Sequence, residues 1–173
     1  DMGIEITGIN AEVALGQWEY QCFGNDTLKA CDDLWVSRYL LYKMTEQYAV
    51  TIDMTPKPVK GDWNGSGCHT NFSNQDMREE GSERYFKIYL ANLKSSHNLH
   101  IENYGVNNDQ RLTGDHETQH ISQFSYGVGD RGASIRIPNS VAKDGWRGYM
   151  EDRRPASNCD PYKVAKLIIE AQP

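Results

Sequence analysis

We interpret the stretch RGYMEDRRP (147–155) as a strand with two chemically different faces. Alternate side chains of a strand point to opposite sides of a sheet. One face carries an aromatic ring, a carboxylate and a guanidinium, from Tyr149, Glu151 and Arg153. The other face carries Met150, Asp152 and Arg154. If the first face lines a cleft, it offers a metal ligand, a cation and an aromatic ring within about 14 Å. The alternative is an edge strand whose charges prevent aggregation.

Other segments predict more strands around this one. ASIRIP (133–138) and CHTNFS (68–73) have the same strand character, and VTIDMTPKP (50–58) predicts a short strand ended by prolines. Within residues 4–22, alternation places Trp18 and Tyr20 on one face and Glu19 on the other. The chain shows no repeat, linker or low-complexity tract, so we predict one α+β unit.

Three segments predict helices. Residues 28–48 carry apolar side chains at helical spacing: Leu28, Cys31, Leu34, Trp35, Tyr39, Leu41, Met44 and Tyr48. Residues 82–96 predict a second helix, with Ser82 as its cap and an apolar stripe of Tyr85, Phe86, Tyr89 and Leu93. The last segment, DPYKVAKLIIE (160–170), places Asp160 at the N-cap and Pro161 at the first helical position.

Two glutamates near the amino terminus indicate a cation site. If Leu15-Gly16 forms a two-residue hairpin turn, Glu12 lies directly opposite Glu19. Like charges in that position destabilise a sheet, and a divalent cation between them reverses the effect. Hard oxygen ligands suit Mg²⁺ or Mn²⁺. The alternative is two solvated glutamates on an exposed face.

The glycine-rich stretch KGDWNGSGCHTNFS (60–73) contains His69 and ends in a predicted strand. His69 could hold a metal, or it could be an ordinary hydrogen-bonded polar residue. The glycines indicate close approach of the backbone to a ligand, although the stretch matches neither a P-loop nor a dinucleotide-binding motif. The remaining histidines have no metal-ligand spacing, and we interpret them as surface residues: His97, His100, His116 and His120.

Charge and cysteine content limit the possible functions. The net charge of −6 argues against a nucleic-acid partner. Six of the nine arginines nevertheless lie between Arg111 and Arg154, which indicates a local anion site, with surface ion pairing as the alternative. The four cysteines show no C-x-x-C spacing and are typical of reduced thiols in a cytosolic protein. The sequence shows neither an apolar run that could span a membrane nor a signal peptide.

Several separated motifs together resemble glutamine synthetases of the eukaryotic type. The resemblance is collinear from about residue 4 to residue 169. It rests on NAEV (10–13), GQWEYQ (16–21), PKPVKGDWNGSGCHTNFS (56–73), MREEG (77–81), RLTGDHET (111–118), GVGDRGASIRIP (127–138) and GYMEDRRPASNCDPY (148–162). Two departures stand out: the strand QWEYQ continues as CFGNDT where the family has Gly-Pro, and Asp115 occupies a variable flap position.

The resemblance implies specific roles. Glu12 and Glu19 match ligands of one divalent ion, and His69 and Glu151 match ligands of a second. Substrate contacts are implied for Asn64, Gly65, His69, Arg111, Arg131 and Arg153. Catalytic roles are implied for Glu117 in the GDHET flap and for Arg131 and Arg136, which face the transferred phosphate. Nucleotide contacts are implied for Ser73, Arg131, Arg136 and Tyr149. Trp63 is expected to fix the glycine-rich loop by packing.

The implied reaction has two steps. ATP phosphorylates the γ-carboxylate of L-glutamate, and ammonia then displaces phosphate to give L-glutamine, with Mg²⁺ or Mn²⁺ as cofactor. The resemblance also implies that residues 1–173 are an incomplete carboxy-terminal catalytic domain whose amino-terminal domain lies outside the chain. The active site would then form between neighbouring subunits of a homo-oligomer of stacked rings, a decamer. We expect a cytoplasmic or organellar location, no membrane partner, and no activity in the isolated fragment.

Three other functions remain open at this stage. A catalytically inactive relative with a structural or assembly role would be expected to lose metal or arginine positions, which this chain keeps. A ligase that joins glutamate to another amine would share all the matched residues. A guanidino kinase would share the general chemistry, but the collinear motifs are not those of that class.

Overall fold

Six strands form two sheets within residues 2–79 and 83–173, the part of the chain that the computed structural model describes. The strands are β1 (Glu5–Ala11), β2 (Trp18–Phe23), β3 (Thr70–Phe72), β4 (Tyr126–Val128), β5 (Ile135–Ile137) and β6 (Met150–Asp152). The helices are α1 (Thr27–Thr45), α2 (Gln75–Arg78), α3 (Glu83–Ser95), α4 (His97–Asn103), α5 (Asn139–Lys143) and α6 (Pro161–Glu170). Short 3-10 turns lie at Glu46–Tyr48 and Asn108–Gln110.

The four-stranded sheet has the order β3-β6-β5-β4. Strand β6 pairs antiparallel with both β3 and β5, so it lies inside the sheet and the edge-strand alternative is wrong. The predicted α+β class is confirmed. One pair departs from an all-antiparallel sheet, because β4 and β5 run parallel.

One face of this sheet is the hydrophobic core. Met150 and the two isoleucines of β5 are at most 1% exposed and pack against α3 and α6. The α3 stripe is confirmed at Phe86, Tyr89 and Leu93, which are fully buried. The predicted Ser82 cap lies outside the described residues. At α6, the Asp160 carboxylate accepts from the Tyr162 amide at 3.0 Å, which confirms the predicted cap.

Helix α1 is confirmed as a helix, but only Cys31 of its predicted apolar stripe is buried. Its buried residues are Cys31, Asp33, Ser37 and Arg38. Trp35, Tyr39 and Met44 remain 46–61% exposed. The helix is oriented by Arg38, which donates to the carbonyls of Ser157 (2.8 Å) and Cys159 (2.9 Å) near the start of α6.

Two further expectations differ from the structure. Residues 50–58 form no strand, and this irregular segment instead provides the Pro56 carbonyl that accepts from the Ser66 amide at 2.8 Å. His97 and His100 are not surface residues, since they are 6% and 1% exposed on α4. Among the described residues, no helix is both long and apolar enough to cross a bilayer.

The hairpin of β1 and β2 has a register different from the predicted one. Asn10 pairs with Glu19, and the Glu12 amide donates to the Gln17 carbonyl at 2.9 Å. The turn is the four-residue segment 14–17, in which Gly16 adopts a φ of 78°. Glu12 therefore lies opposite Gln17, not Glu19. The shift is an even number of residues, so both glutamates still share one face.

Candidate functional site

Glu151 is the centre of a charged cluster on the sheet face opposite the core. The strand register places Arg136 directly beside it, and the two side chains form an ion pair of 3.0 Å. Arg153 and His69 approach the other carboxylate oxygen at 3.0 and 3.3 Å. Burial alone would raise the pKa of Glu151, but the His69 hydrogen bond and the positive charges around it lower the pKa to about 2. Glu151 is therefore ionised at neutral pH.

His69 is held between an acceptor and a donor. Its Nδ1 faces Glu151, and its Nε2 lies 3.2 Å from Nη2 of Arg111. Desolvation lowers the pKa of His69 although 31% of its side chain is exposed, and the Glu151 hydrogen bond opposes this effect. An arginine can only donate, so Nε2 accepts and the neutral ring carries its proton on Nδ1.

Arg111 lies beneath the glycine-rich loop and is 4% exposed. Its guanidinium donates to the carbonyls of Arg153 (2.7 Å) and Arg154 (3.2 Å). A Cβ on Gly65 or Gly67 would lie 2.5–2.6 Å from the Arg111 side chain. The glycines therefore let the backbone approach Arg111. Burial and the charge of Arg153 lower the pKa of Arg111 to about 10, which still leaves it protonated at neutral pH.

The loop is anchored by polar contacts. Trp63 was expected to fix the loop by packing, but it is 42% exposed and is not a buried anchor. The hairpin contributes Gln17, whose side-chain amide donates to the Gly65 carbonyl at 3.1 Å. Gln17 lies on the same hairpin face as Glu12 and Glu19, so that face turns toward the loop that ends at His69.

The structure brings together only some of the predicted metal ligands. His69 and Glu151 converge, whereas Glu12 is hydrogen-bonded to Asn10 (2.9 Å) on the separate hairpin. Within residues 2–79 and 83–173, no group of three or more His, Cys, Asp or Glu side chains is arranged to hold a metal ion.

Glu117 lies in a turn that contacts the cluster. Its carboxylate pairs with Arg131 at 2.9 Å, and its carbonyl accepts from Arg153 at 3.3 Å. The turn spans residues 115–118, and its central residues His116 and Glu117 both have positive φ, 52° and 60°. Such backbone conformations are costly in non-glycine residues and are common in functional loops.

Two of the four predicted nucleotide contacts, Ser73 and Tyr149, lie side by side. The Ser73 hydroxyl donates to the Gly148 carbonyl at 2.6 Å, just past the point where Phe72 pairs with Met150. Tyr149 is next in sequence and is 39% exposed. The structure therefore brings Ser73 and Tyr149 together at one end of the strand that carries Glu151.

Comparison with known proteins identifies the family. A model of the glutamine synthetase catalytic domain matches residues 1–172. The chain belongs to the glutamine synthetase family.

Its relatives cover nearly all of this chain, but the chain covers less than half of them. Glutamine synthetase from Agaricus bisporus is 54% identical over 168 residues, which are 97% of this chain and 47% of that protein. The Yarrowia lipolytica enzyme is 53% identical over 97% of this chain and 46% of its own length. A cryo-EM structure of Plasmodium falciparum glutamine synthetase superposes with a TM-score of 0.78, covering 98% of this chain and 34% of that chain, and at 21% identity it supports the fold alone.

Sequence reasoning missed a buried polar network in this glutamine synthetase chain. Nη2 of Arg154 lies 2.7 Å from Asp152 and 3.1 Å from His100, and its Nη1 lies 3.2 Å from His97. Tyr104 donates to Asp152 at 2.9 Å. The spacing of His97 and His100 on one helix face was the available signal.

A second missed feature lies beside the glycine-rich loop. Cys159 is a neighbour of Cys68 and, with the charges of Arg38 and Arg111, lowers the pKa of the Cys68 thiol against the effect of burial. Both cysteines are free. No local spacing indicates that the two residues are neighbours, because they lie in different segments.

Proposed function

We propose that the protein to which this chain belongs is a glutamate–ammonia ligase, which converts L-glutamate, ammonia and ATP to L-glutamine through γ-glutamyl phosphate. Family membership supports the reaction class. The observation that carries the proposal for this chain is the Glu151 cluster, where one carboxylate is held by Arg136, Arg153 and His69 on the open face of the sheet.

The donors present fit part of a divalent-cation site. Nδ1 of His69 and an oxygen of Glu151 lie 3.3 Å apart, and both atoms would serve one cation once the ring proton has left Nδ1. Carboxylate oxygen and imidazole nitrogen suit Mg²⁺ or Mn²⁺. We propose that these two residues hold one ion and that Glu12 and Glu19 serve another. When bound, the ions would neutralise phosphate charge.

The arginines supply the matching positive charge for phosphoryl transfer. Arg136 and Arg153 each keep a buried Nε that has no hydrogen-bond partner within the described residues. Buried donors without partners are rare, and a bound anion would satisfy them. We assign Arg136, Arg153 and Arg131 to the phosphate and the γ-carboxylate, where positioning and charge neutralisation stabilise the transition state.

The Glu117 turn supports a role as a lid over the acyl phosphate. It is held by Arg131 and Arg153, two of the proposed phosphate ligands. An anion bound by these arginines would therefore lie next to the turn. We propose that Glu117 closes over glutamate and assists the ammonia step, while the closed turn excludes water from the acyl phosphate.

The remaining assignments follow the same proposal. Asn64, Gly65 and Arg111 would position glutamate, and Ser73 and Tyr149 would contact the nucleotide. We also propose a cytoplasmic homo-oligomer of stacked rings, with each active site completed by a neighbouring subunit.

The test is γ-glutamyl transfer to hydroxylamine by the full-length protein with Mn²⁺. We expect activity in the parent, loss of it in Glu151→Ala, and parental activity in Glu102→Ala, which changes an exposed glutamate on α4. Absence of activity in a folded parent would favour the structural relative. Ligation of methylamine in preference to ammonia would instead identify a ligase for another amine.

A further inference from the structure

One peptide group of the glycine-rich loop is held at both of its ends. The Gly65 carbonyl accepts from the side-chain amide of Gln17 at 3.1 Å, and the Ser66 amide donates to the Pro56 carbonyl at 2.8 Å. Because a peptide group is planar and nearly always trans, its carbonyl and its amide point in opposite directions. The two hydrogen bonds therefore fix the plane of the Gly65–Ser66 peptide, from the hairpin on one side and from segment 50–58 on the other.

The turn of the hairpin orients Gln17 for this contact. The Gln17 backbone amide donates to the Ala14 carbonyl at 2.9 Å, and its side-chain oxygen accepts from the Ala14 amide at 3.4 Å. With the oxygen directed to Ala14, the side-chain nitrogen faces the loop, where it also lies 3.3 Å from the Ser66 hydroxyl. Both protons of this nitrogen therefore have an acceptor in the loop.

The backbone at Gly65 depends on such partners for its orientation. A Cβ at this position would lie 2.6 Å from the Arg111 side chain and 2.6 Å from the Pro56 carbonyl oxygen, so the close packing requires glycine. Glycine has the weakest backbone preference of all residues, since it lacks a Cβ. The direction of the Gly65 carbonyl must therefore be set by what it contacts, and Gln17 supplies a donor to it.

We propose that Gln17 is a positioning residue, which sets the plane of the Gly65–Ser66 peptide and thereby the geometry in which the loop presents Asn64 and Gly65 to L-glutamate. The part of this inference that concerns glutamate rests on the proposed function. Gln17 acts through the loop and not by contact with the substrate. Its loss therefore weakens the binding of glutamate, whereas the chemical step at the Glu151 cluster changes little.

The experiment compares Gln17→Met with the parent in the full-length protein. Methionine keeps the length and neutrality of the side chain but has no donor. Amide hydrogen exchange of segment 60–73, measured by mass spectrometry without ligands, should become about three- to tenfold faster, as expected for one lost hydrogen bond. Gln47→Met, at an exposed position in the turn after α1, is the matched control and should keep the parental exchange.

Kinetics then tests the link to the substrate. In the ATP-dependent formation of γ-glutamyl hydroxamate from L-glutamate, the KM for glutamate should rise about three- to tenfold in Gln17→Met, with kcat within about twofold of the parent. A purely structural defect would instead lower kcat through loss of folded enzyme and leave KM unchanged. The control Gln47→Met should keep both parameters.

A second variant, Gln17→Glu, separates positioning from charge, because it also lacks the donors but adds a negative charge. It should raise the exchange rate as Gln17→Met does, and it carries the exchange measurement if Gln17→Met does not fold. Parental exchange in the folded Gln17 variants would overturn the proposal, and so would a raised KM in Gln17→Glu alone, which would be an effect of charge. Faster exchange in variants of a protein whose parent has no ligase activity would support the positioning of the loop and would contradict the proposed function.

Discussion

Strand β6 and the two residues after it carry two acid–arginine pairs of identical spacing, one on each face of the sheet. Asp152 and Arg154 lie on the core face and are 0% and 1% exposed. Glu151 and Arg153 lie on the opposite face and are 8% and 7% exposed, but they adjoin His69 and Arg136, whose side chains are about one-third exposed. The same residue types therefore meet two environments.

The two pairs differ in how much of their hydrogen-bonding capacity is used. Asp152 receives bonds from the Arg154 amide, from its guanidinium and from Tyr104. On the other face, the Glu151 carboxylate serves three cationic or polar partners, and the Nε of Arg153 has no partner among residues 2–79 and 83–173. A complete network stabilises one structure, whereas an incomplete one has capacity for a ligand.

The sharpest test removes the buried carboxylate. Asp152→Asn leaves the Arg154 charge buried without its counter-ion, so we expect the free energy of unfolding to fall by about 3–5 kcal/mol. Urea denaturation of the full-length protein, followed by tryptophan fluorescence, measures this loss. Glu102→Gln on the surface of α4 is the control and should change it by less than about 0.5 kcal/mol. A cost of Asp152→Asn as small as the control's would mean that Arg154 does not depend on Asp152.

The matched change on the other face is Glu151→Gln. It keeps the shape of the side chain but removes the charge that His69, Arg136 and Arg153 share, so we expect transfer activity to fall by at least about a hundredfold. The stability cost should be about 1–2 kcal/mol, less than that of Asp152→Asn, because solvent reaches this face. Activity assays and denaturation on the same preparations separate the two effects. Equal stability losses in both variants would remove the distinction between the faces.

The buried histidines add a pH dependence to the core face. Desolvation and the charge of Arg154 lower the pKa of His100 to about 4, and desolvation also lowers the pKa of His97. The unfolded chain binds these protons near pH 6.5, so the stabilisation present above that pH is lost as the pH falls toward 4. We expect a loss of about 2 kcal/mol from His100 between pH 7 and pH 4.5.

Denaturation at a series of pH values checks this. The slope below pH 6.5 should flatten in His100→Gln, even though that variant is less stable throughout. His120→Gln, at an exposed position, should keep the parental slope. If His100→Gln keeps the parental slope of unfolding free energy against pH, the pH dependence comes from other groups. The charged and titratable groups that face the His100 ring are Asp152, Arg154, Tyr104 and His97.

Features set by local rules could be predicted from the sequence. The alternation of β6 separated its two charged pairs correctly, because the period of a strand depends only on its own residues. The Asp160-Pro161 start of α6 was also correct, since a cap is a contact within a few residues. The family motifs likewise named Glu117, Arg136 and Glu151, which the structure brings into one cluster.

Features set by distant partners could not be predicted. His97 and His100 are buried because Arg154, more than 50 positions along the chain, accompanies them into the core. The apolar spacing of α1 predicted a helix but not the side that packs, which depends on the contacts of Arg38 with residues 157–159. The predicted register of the hairpin was wrong because the turn takes four residues, 14–17, which shifts the pairing of β1 and β2 by two positions.

The ion pair of Arg131 and Glu117 is the exposed counterpart of the buried pairs, and we expect the smallest stability effect there. Their side chains are 63% and 45% exposed, and pairs of this kind contribute about 0–1 kcal/mol because water and salt screen them. Arg131→Ala should therefore change the free energy of unfolding by less than about 0.5 kcal/mol. Under the proposed function it should still reduce transfer activity, because Arg131 contacts both the turn and the phosphate. Lys166→Ala, which breaks the exposed pair with Glu170 on α6, is the control for loss of a surface cation and should leave both quantities unchanged. A loss of stability above about 1 kcal/mol in Arg131→Ala, with activity retained, would make this pair structural. The two faces of the sheet at β6 would then not separate the structural ion pairs from the functional ones.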